Sequence, residues 1–443
     1  MYKLYYIFCL ILREPISYFQ RRKLAKLILS DWNRGTKFHI SYQKREFEKV
    51  KKTALKLPFY KKLLRDNELK NDPSLKDFPV IEKSLIKQLD KQFKSSSIFS
   101  PRSFQNTGGS TGNPFYFFTS PHVRDVEFAH QNFFFQRINF KISDLIYTFN
   151  GTKISKEDQQ RNKFWLQKRK YRNFPFGSVH FSATLLTEKN ASHYIDKILT
   201  DKPAVLRGYP STMTFLAEQI IRIGIQNEFS FLKGIMLTSE VIYDKQIEIN
   251  KKAFNCQILP QYGMTESACF AFTYPNKLEY YCSPFYGITE VLNENNESVQ
   301  IGEIGEIVVT SLSNHYQPFI RYRTGDLARY GGKENGFVIL KEIFGRTQDY
   351  IVTKWNKKIM LVSLIFGAHL KAFEGIDKWQ LKQTIPGEVN VRITPNKTWN
   401  KNYQEEIIKI LSCNNEVKVV INFGSDFETT KSGKQLFMIQ HLK

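Results

Sequence analysis

Cysteine is scarce: Cys9, Cys256, Cys269, Cys282 and Cys413 are the only five in 443 residues. That excludes a disulfide scaffold, and the lack of any C-x-x-C pair excludes a zinc ribbon or a dithiol redox couple. No histidine lies between Cys256 and Cys282, so buried structural cysteines are expected there rather than a zinc site. Long apolar runs are missing as well. Residues 1–12 are interrupted only by Lys3 and are stopped by Arg13, Glu14 and Pro15, well short of the roughly 20 residues that span a bilayer. No small-residue cleavage pattern follows them, so a signal peptide is not expected. The phosphate-loop signature ending in GK[ST] and the dinucleotide fingerprint G-x-G-x-x-G are both absent. Zinc-finger spacing, basic-zipper heptads and RNP-like aromatic motifs are absent too, so nucleic acid is not an expected partner.

What the chain does have is apolar mass and positive charge. A hydrophobic share of 42% with 14% aromatics supplies a sizeable core, and the length suits two or three domains. Lys and Arg number 65 against 42 Asp and Glu, a net +23. Residues 1–70 hold eighteen basic and six acidic side chains, so 18 − 6 puts +12 there. A second basic run covers 153–172. Ile16, Phe19, Leu24, Leu27 and Ile28 fall at helical spacing beside Arg21, Arg22, Lys23 and Lys26. Two readings stay open for this arm: a first helix packed on the body, or an interfacial helix on an anionic membrane surface. The expected location is cytoplasmic, with peripheral contact at the inner face of the cytoplasmic membrane under the second reading.

The apolar pattern predicts an α/β fold. Residues 16–70 read as helical, whereas 100–345 alternate short apolar strands with helix-like stretches. Val205-Leu206, the turn Arg207-Gly208-Tyr209-Pro210 and the helical run 214–223 read as strand, turn, helix. Residues 234–237 form a short buried strand, and 303–312 (EIGEIVVTSL) alternate like a strand with one open face. The last hundred residues predict a compact α+β unit, with strands near 389–393 and 417–421 and a helix at about 404–411. The boundaries this implies are a basic helical arm at 1–70, a large domain at 71–345 and a small domain at 346–443.

Five polar clusters carry the chemistry. Asn106-Thr107-Gly108-Gly109-Ser110-Thr111-Gly112-Asn113-Pro114 sets three glycines among hydroxyl donors, a composition suited to phosphate or to an ordinary turn. Next come Gln261-Tyr262-Gly263-Met264-Thr265-Glu266-Ser267 and Arg321-Tyr322-Arg323-Thr324-Gly325-Asp326-Leu327. Phe344-Gly345-Arg346 with Asp349, and Thr430-Lys431-Ser432-Gly433-Lys434, complete the set. Each cluster alone reads equally well as turn chemistry or solvated charge. Their ordered combination is specific.

That combination resembles the acyl-adenylate-forming superfamily of acyl-CoA synthetases, in particular the phenylacetate–CoA ligase branch. Within the branch it is most similar to CapK-type proteins of capsular and O-antigen polysaccharide synthesis. NTGGSTGNPF without a following lysine, LRGYPSTMTFLA at 206–217 and PFIRYRTGDLA at 318–328 carry the resemblance, which covers roughly residues 75–443. It implies a large adenylation domain of α/β layers with a small β-rich part, followed by a small mobile α+β lid. It also implies ATP and Mg²⁺, with CoA as one possible acceptor. Thr107, Gly108, Gly109, Ser110, Thr111 and Gly112 would hold the β- and γ-phosphates. Thr238, Ser239 and Glu240 would flank adenine, and Tyr262, with Gly263 and Met264 beside it, would stack on it. Thr265 would bond the α-phosphate, Glu266 would hold Mg²⁺, Asp326 would accept the ribose hydroxyls, and Arg346 would sit near the ribose and the hinge. Lys434 would be the mobile catalytic lysine. The acid would lie near His180, Phe181 and Tyr209.

The residue types suit that chemistry. Joining a carboxylate to AMP supplies a leaving group, and the step needs positioning and charge neutralisation rather than a protein nucleophile. No Ser/His/Asp set is legible. One departure stands out: Gln348 precedes Asp349 where the family carries an acidic pair, so domain rotation does not follow from the motif alone. The expectation is therefore a ligase that activates a small carboxylic acid and passes it to CoA, an amine or a sugar. A non-catalytic scaffold of the same fold, associated with the membrane through its basic arm, is the alternative.

Overall fold

The computed structural model describes residues 23–26, 28, 30, 34–66, 68–94, 102–106, 115–141, 143–167, 176–274, 278–346, 350–361, 371–429 and 436–442. The chain divides into two compact units: 1–324 with 328–342, and 325–327 with 343–443. The architecture is mixed α/β, with a large sheet in the first unit and a small α+β second unit.

The first unit opens with helices α1 (Thr36–Ala54), α2 (Pro58–Arg65) and α3 (Lys83–Gln88), then a two-stranded antiparallel pair, β1 (Ser103–Asn106) and β2 (Tyr116–Thr119). Helix α4 (Pro121–Gln136) follows. Next in the chain are β3 (Ile146–Asn150), α5 (Lys156–Gln160), β4 (Trp165–Gln167), β5 (Val179–Ser182), α6 (Ala191–Asp201), β6 (Val205–Gly208), α7 (Pro210–Ile223), β7 (Gly234–Thr238), α8 (Asp244–Phe254) and β8 (Gln257–Gly263). The run β9 (Phe270–Thr273), β10 (Tyr280–Cys282), β11 (Gly287–Leu292), β12 (Ile304–Ser311), β13 (Tyr322–Glu334) and β14 (Phe337–Arg346) completes a sheet ordered β11-β12-β13-β14-β10-β9-β8-β7-β6-β3-β5-β4.

Its heart is parallel: β8, β7, β6, β3 and β5 run the same way. Their apolar runs are buried on both faces, as parallel strands require. Tyr147, Phe149, Leu206, Ile235, Leu237 and Ile258 pack with α6, α7 and α8. On the other face Ile146, Val205, Met236 and Leu259 pack with Phe134 and Phe135 of α4. After β3 the chain runs outward to β5, and after β6 it runs the opposite way to β7. Connections leaving two neighbouring strands in opposite directions open a crevice above their carboxyl ends, where α/β proteins hold ligands.

One expectation needs revision. Residues 303–312 were expected to leave one face open, but β12 is buried almost throughout, with Ile307, Val308 and Val309 fully enclosed. The alternation was real, yet its polar members are satisfied inside: Glu306 pairs with Arg323, and Thr310 accepts the Arg321 N–H. Part of the basic arm is also described, from residue 23 onward. Ala25 and Ile28 are buried against Ala129, Phe133 and Phe285, with Leu24 beside them, so this part of the apolar face is docked on protein. Ile16, Phe19 and Leu27 lie outside the described residues. No described helix is long and apolar enough to cross a membrane.

In the second unit, β15 (Tyr350–Val352) and β16 (Lys358–Met360) pair antiparallel. A four-stranded sheet ordered β19-β18-β17-β20 follows, built from β17 (Ile376–Ile385), β18 (Glu388–Pro395), β19 (Lys418–Phe423) and β20 (Met438–Gln440). Helix α9 (Lys401–Leu411) is started by Asn400, whose side chain accepts the Tyr403 N–H. Its Ile407 and Leu411, four residues apart and so on one face, enter a core with Trp379, Leu381, Val389, Val391 and Ile393.

Candidate active site

Because β6, β7 and β8 are neighbours, three sequence-read clusters far apart in the chain meet at one sheet edge. Gly208 pairs with Leu237, and Thr238 with Gln261. Tyr209 therefore follows β6 beside the Thr238-Ser239-Glu240 segment after β7, which in turn lies beside Tyr262 and Gly263 at the end of β8. Tyr262 and Met264 are half-buried, while Gly263 and Thr265 are exposed. Tyr262 thus offers a partly open aromatic face, and Thr265 a hydroxyl at the surface of this edge.

Glu266 turns inward. It is 6% exposed and accepts a hydrogen bond from Tyr322 Oη at 3.0 Å. The turn that aims it is closed by the Ser267 N–H on Met264 O at 3.0 Å, with Ser267 at φ 54° and its carbonyl accepting from Ser311 Oγ. Tyr322 begins β13, so this bond joins the second cluster to the third. A buried carboxylate needs such a partner. Among the described residues no three His, Cys, Asp or Glu side chains form a metal cluster. One carboxylate shared with substrate phosphates is the usual protein contribution to Mg²⁺, and Glu266 suits that role.

The RYRTGD segment is pinned by its arginines. Arg321 is buried and grips Glu290 through Nε and Nη2, both at 3.1 Å, while Nη1 donates to Phe78 O at 3.1 Å. Its backbone is in the left-handed region at φ 47°, and the neighbouring chain bonds both ways with Ile81. Arg323 pairs with Glu306, and Thr324 Oγ1 donates to Ile307 O at 2.8 Å. Asp326 lies four residues beyond Tyr322 on the same strand and is half-buried. The resemblance gives a ribose role in this segment to Asp326 alone. In the structure its first half is structural, and Tyr322 serves Glu266.

Thr107, Gly108, Gly109, Ser110, Thr111 and Gly112 lie outside the described residues, as do Gln348, Asp349 and Lys434; so does the side chain of Arg346, which ends β14. The strands on either side of 107–114 are described. Of these, β2 is fastened to 313–317: Phe118 N–H donates to Gln317 Oε1 at 3.0 Å, and Asn314 bonds Ser120 N–H and Phe118 O. That segment leads directly into β13.

Glu240 is half-buried. Its carboxylate accepts from the Ser211 N–H and Oγ, both at 3.0 Å, at the start of α7, where negative charge is favoured. Tyr209 is the N-cap of that helix and is buried. Phe181 is fully enclosed, stacked on Phe149 at 4.6 Å and near Tyr194 and Trp165. Any contact it makes with an acid would therefore pass through those neighbours. His180 points to the opposite face, half-buried, with Nδ1 3.4 Å from Asn150 Nδ2.

Sequence reasoning singled out neither Tyr322 nor the Arg207 side chain. Tyr322 was hidden inside a motif read for its aspartate. Arg207 stood in the turn 207–211, which the resemblance put near the acid without giving this side chain a role, although a charge in the run VLRG was an available signal.

No family model matches the chain. Protein CapK of Staphylococcus aureus is 24% identical over 403 residues, covering 87% of this chain and 85% of its own length. An open conformation of 2-hydroxyisobutyryl-CoA ligase with 2-HIB-AMP and CoA has a TM-score of 0.56 at 18% identity, covering 89% of this chain and 90% of that one. The same ligase in the postadenylation state with 2-HIB-AMP gives 0.61 at 16% identity, over 90% and 89%. With the segments after β6, β7 and β8 meeting at the carboxyl ends of a parallel sheet, this chain has the fold of the adenylate-forming acyl-CoA ligases and is similar to CapK.

Proposed function

We propose that the chain is an ATP-dependent ligase that activates a carboxylic acid as acyl-AMP and hands the acyl group to CoA, an amine or a sugar. A carboxylate oxygen of the acid attacks the α-phosphorus, and pyrophosphate leaves. The observation that carries this reading is the buried Glu266–Tyr322 pair, which fixes a carboxylate beside Thr265 just after β8. Glu266 would hold Mg²⁺, which supplies charge neutralisation of the phosphates. Thr265 would bond the α-phosphate, Tyr262 would face adenine, and Asp326 would accept the ribose hydroxyls. Residues 107–112 would take the leaving phosphates, and Lys434, on a mobile second unit, would meet the charge that develops during attack. The fold neighbour that binds 2-HIB-AMP and CoA supports an acyl-AMP intermediate and a thiol acceptor. Similarity to CapK supports a place in cell-surface polysaccharide synthesis.

The deciding experiment incubates the protein with Mg-ATP and a panel of aliphatic, aromatic, amino and sugar acids. Acid-dependent pyrophosphate release, with acyl-AMP seen by mass spectrometry, is the expected result. No ATP binding and no pyrophosphate with any class would leave the scaffold reading in its place.

A further inference from the structure

Strand β6 is the sequence VLRG, and its arginine is the one half-buried residue of an otherwise buried strand. In register, Met236, Arg207, Thr148 and His180 form one row across β7, β6, β3 and β5. Side chains of one row share a face. Here it is the face covered by α4, because Val205 and Met236 pack with Phe134 and Phe135. Asn150, two residues beyond Thr148, joins the same face and meets His180. The row crosses β6 one residue from its carboxyl end and β3 at its middle, and Asn150 at the carboxyl end of β3 leads from it towards the crevice created by the reversal of strand order.

A roof sits over it. The Phe176 ring lies 4.6 Å from the Arg207 guanidinium carbon, and the Phe176 carbonyl accepts from Thr148 Oγ1. Gly177 makes this approach possible: it has φ +82°, and a Cβ there would fall 1.8 Å from Ile146 O. Only glycine fits so tight a turn. The aromatic ring is thus fixed above the cation while 45% of Phe176 remains exposed.

The guanidinium is incompletely satisfied. Arg207 Nη1 is sealed from solvent and has no hydrogen-bond partner among the described residues. Burial pushes its pKa down to about 10, with Glu127 of α4 opposing the shift, so the group stays charged at neutral pH. Glu127 is the acidic group facing it, but that carboxylate accepts from Tyr286 Oη at 2.7 Å and Gln131 Nε2 at 2.9 Å. No ion pair joins Glu127 to Arg207 among the described residues. An enclosed cationic donor lacking an acceptor is costly, and it marks a place where a ligand supplies the missing oxygen.

We propose that Arg207 receives a second carboxylate of the acid substrate, so that the chain activates a dicarboxylic acid, with one carboxylate adenylated and the other held by Arg207 beside His180 and Asn150. This rests on the ligase reading. The test is ATP–pyrophosphate exchange with matched pairs of acids: butyrate and succinate, valerate and glutarate, benzoate and terephthalate. The parent protein should use the diacid of at least one pair about 10- to 100-fold better in kcat/KM, the range of one charge-assisted interaction. Arg207→Met should raise the KM for that diacid and collapse the preference, and Arg207→Lys should restore part of it. The parent's own preference needs no variant, so a poorly folding Arg207→Met does not blunt the test. Exchange with monoacids equal to or better than with diacids in every pair overturns the Arg207 proposal and leaves the ligase reading standing. No exchange with any acid and no ATP binding overturns both.

Discussion

At the scale of single residues, the side chains that matter are those whose burial contradicts their polarity. Glu266 was legible as a candidate because its cluster resembles a known motif, but its partner Tyr322 was not, since the two are separated by 56 positions. His130 is a second case and makes a prediction about acid. It is buried on α4, between Phe270 and Tyr286. Nδ1–H donates to Val126 O at 2.8 Å, so Nε2 accepts from Ser283 Oγ at 2.9 Å. Burial lowers its pKa to about 4, against about 6.5 for an ordinary histidine. Between those values the unfolded chain binds a proton that the folded chain refuses, so this group's contribution is complete above pH 6.5 and is lost as pH falls towards 4. The loss amounts to roughly 3 kcal/mol. Urea unfolding of the parent from pH 7 to pH 4 should show it, and His130→Gln should flatten that slope. Parallel slopes would clear His130 of the effect.

Secondary-structure elements were largely readable, because strands such as β6, β7, β18 and β19 are short apolar runs between polar turns. Helix α7 was readable for the same reason: it begins at Pro210 and stops at Gly224, whose φ of 77° closes the helix. What the pattern did not disclose was how an element is held. Arg321 straps the chain at 76–81 onto the start of β13 through Glu290, Phe78 O and the paired backbone at Ile81. Arg321→Ala leaves Glu290 without its cation and two carbonyls, Lys76 O and Phe78 O, without this donor. A loss of about 3–5 kcal/mol is expected, read as a lower urea midpoint at pH 7. Lysine at this position should recover only part, because it lacks the planar fork. A change below about 1 kcal/mol would mean that the strap is held by the backbone pairing alone.

For the whole molecule, the remaining question is how the second unit takes part. If Lys434 enters the site only when that unit closes, Lys434→Ala should leave ATP affinity nearly unchanged by calorimetry. Acid-dependent pyrophosphate release should then fall about 10²- to 10³-fold. Lys431→Ala is the internal control and should do much less. Equal turnover by both variants and the parent would remove the mobile-lysine role. The sequence by itself determined the division of labour: few cysteines, hence a core held by apolar packing; alternating strands and helices, hence α/β layers; five motifs in order, hence an adenylating ligase as the expectation. These are local or compositional properties, and a chain carries them before it folds. Only the tertiary structure decided which side chains meet. Strand order runs β8-β7-β6-β3-β5 rather than by chain position, so Arg207 comes to lie beside Thr148 and His180, and the Phe176 ring above it. Glu266 finds Tyr322 in the same way. Adjacency across a sheet depends on how connections cross it, and no window of sequence contains that information.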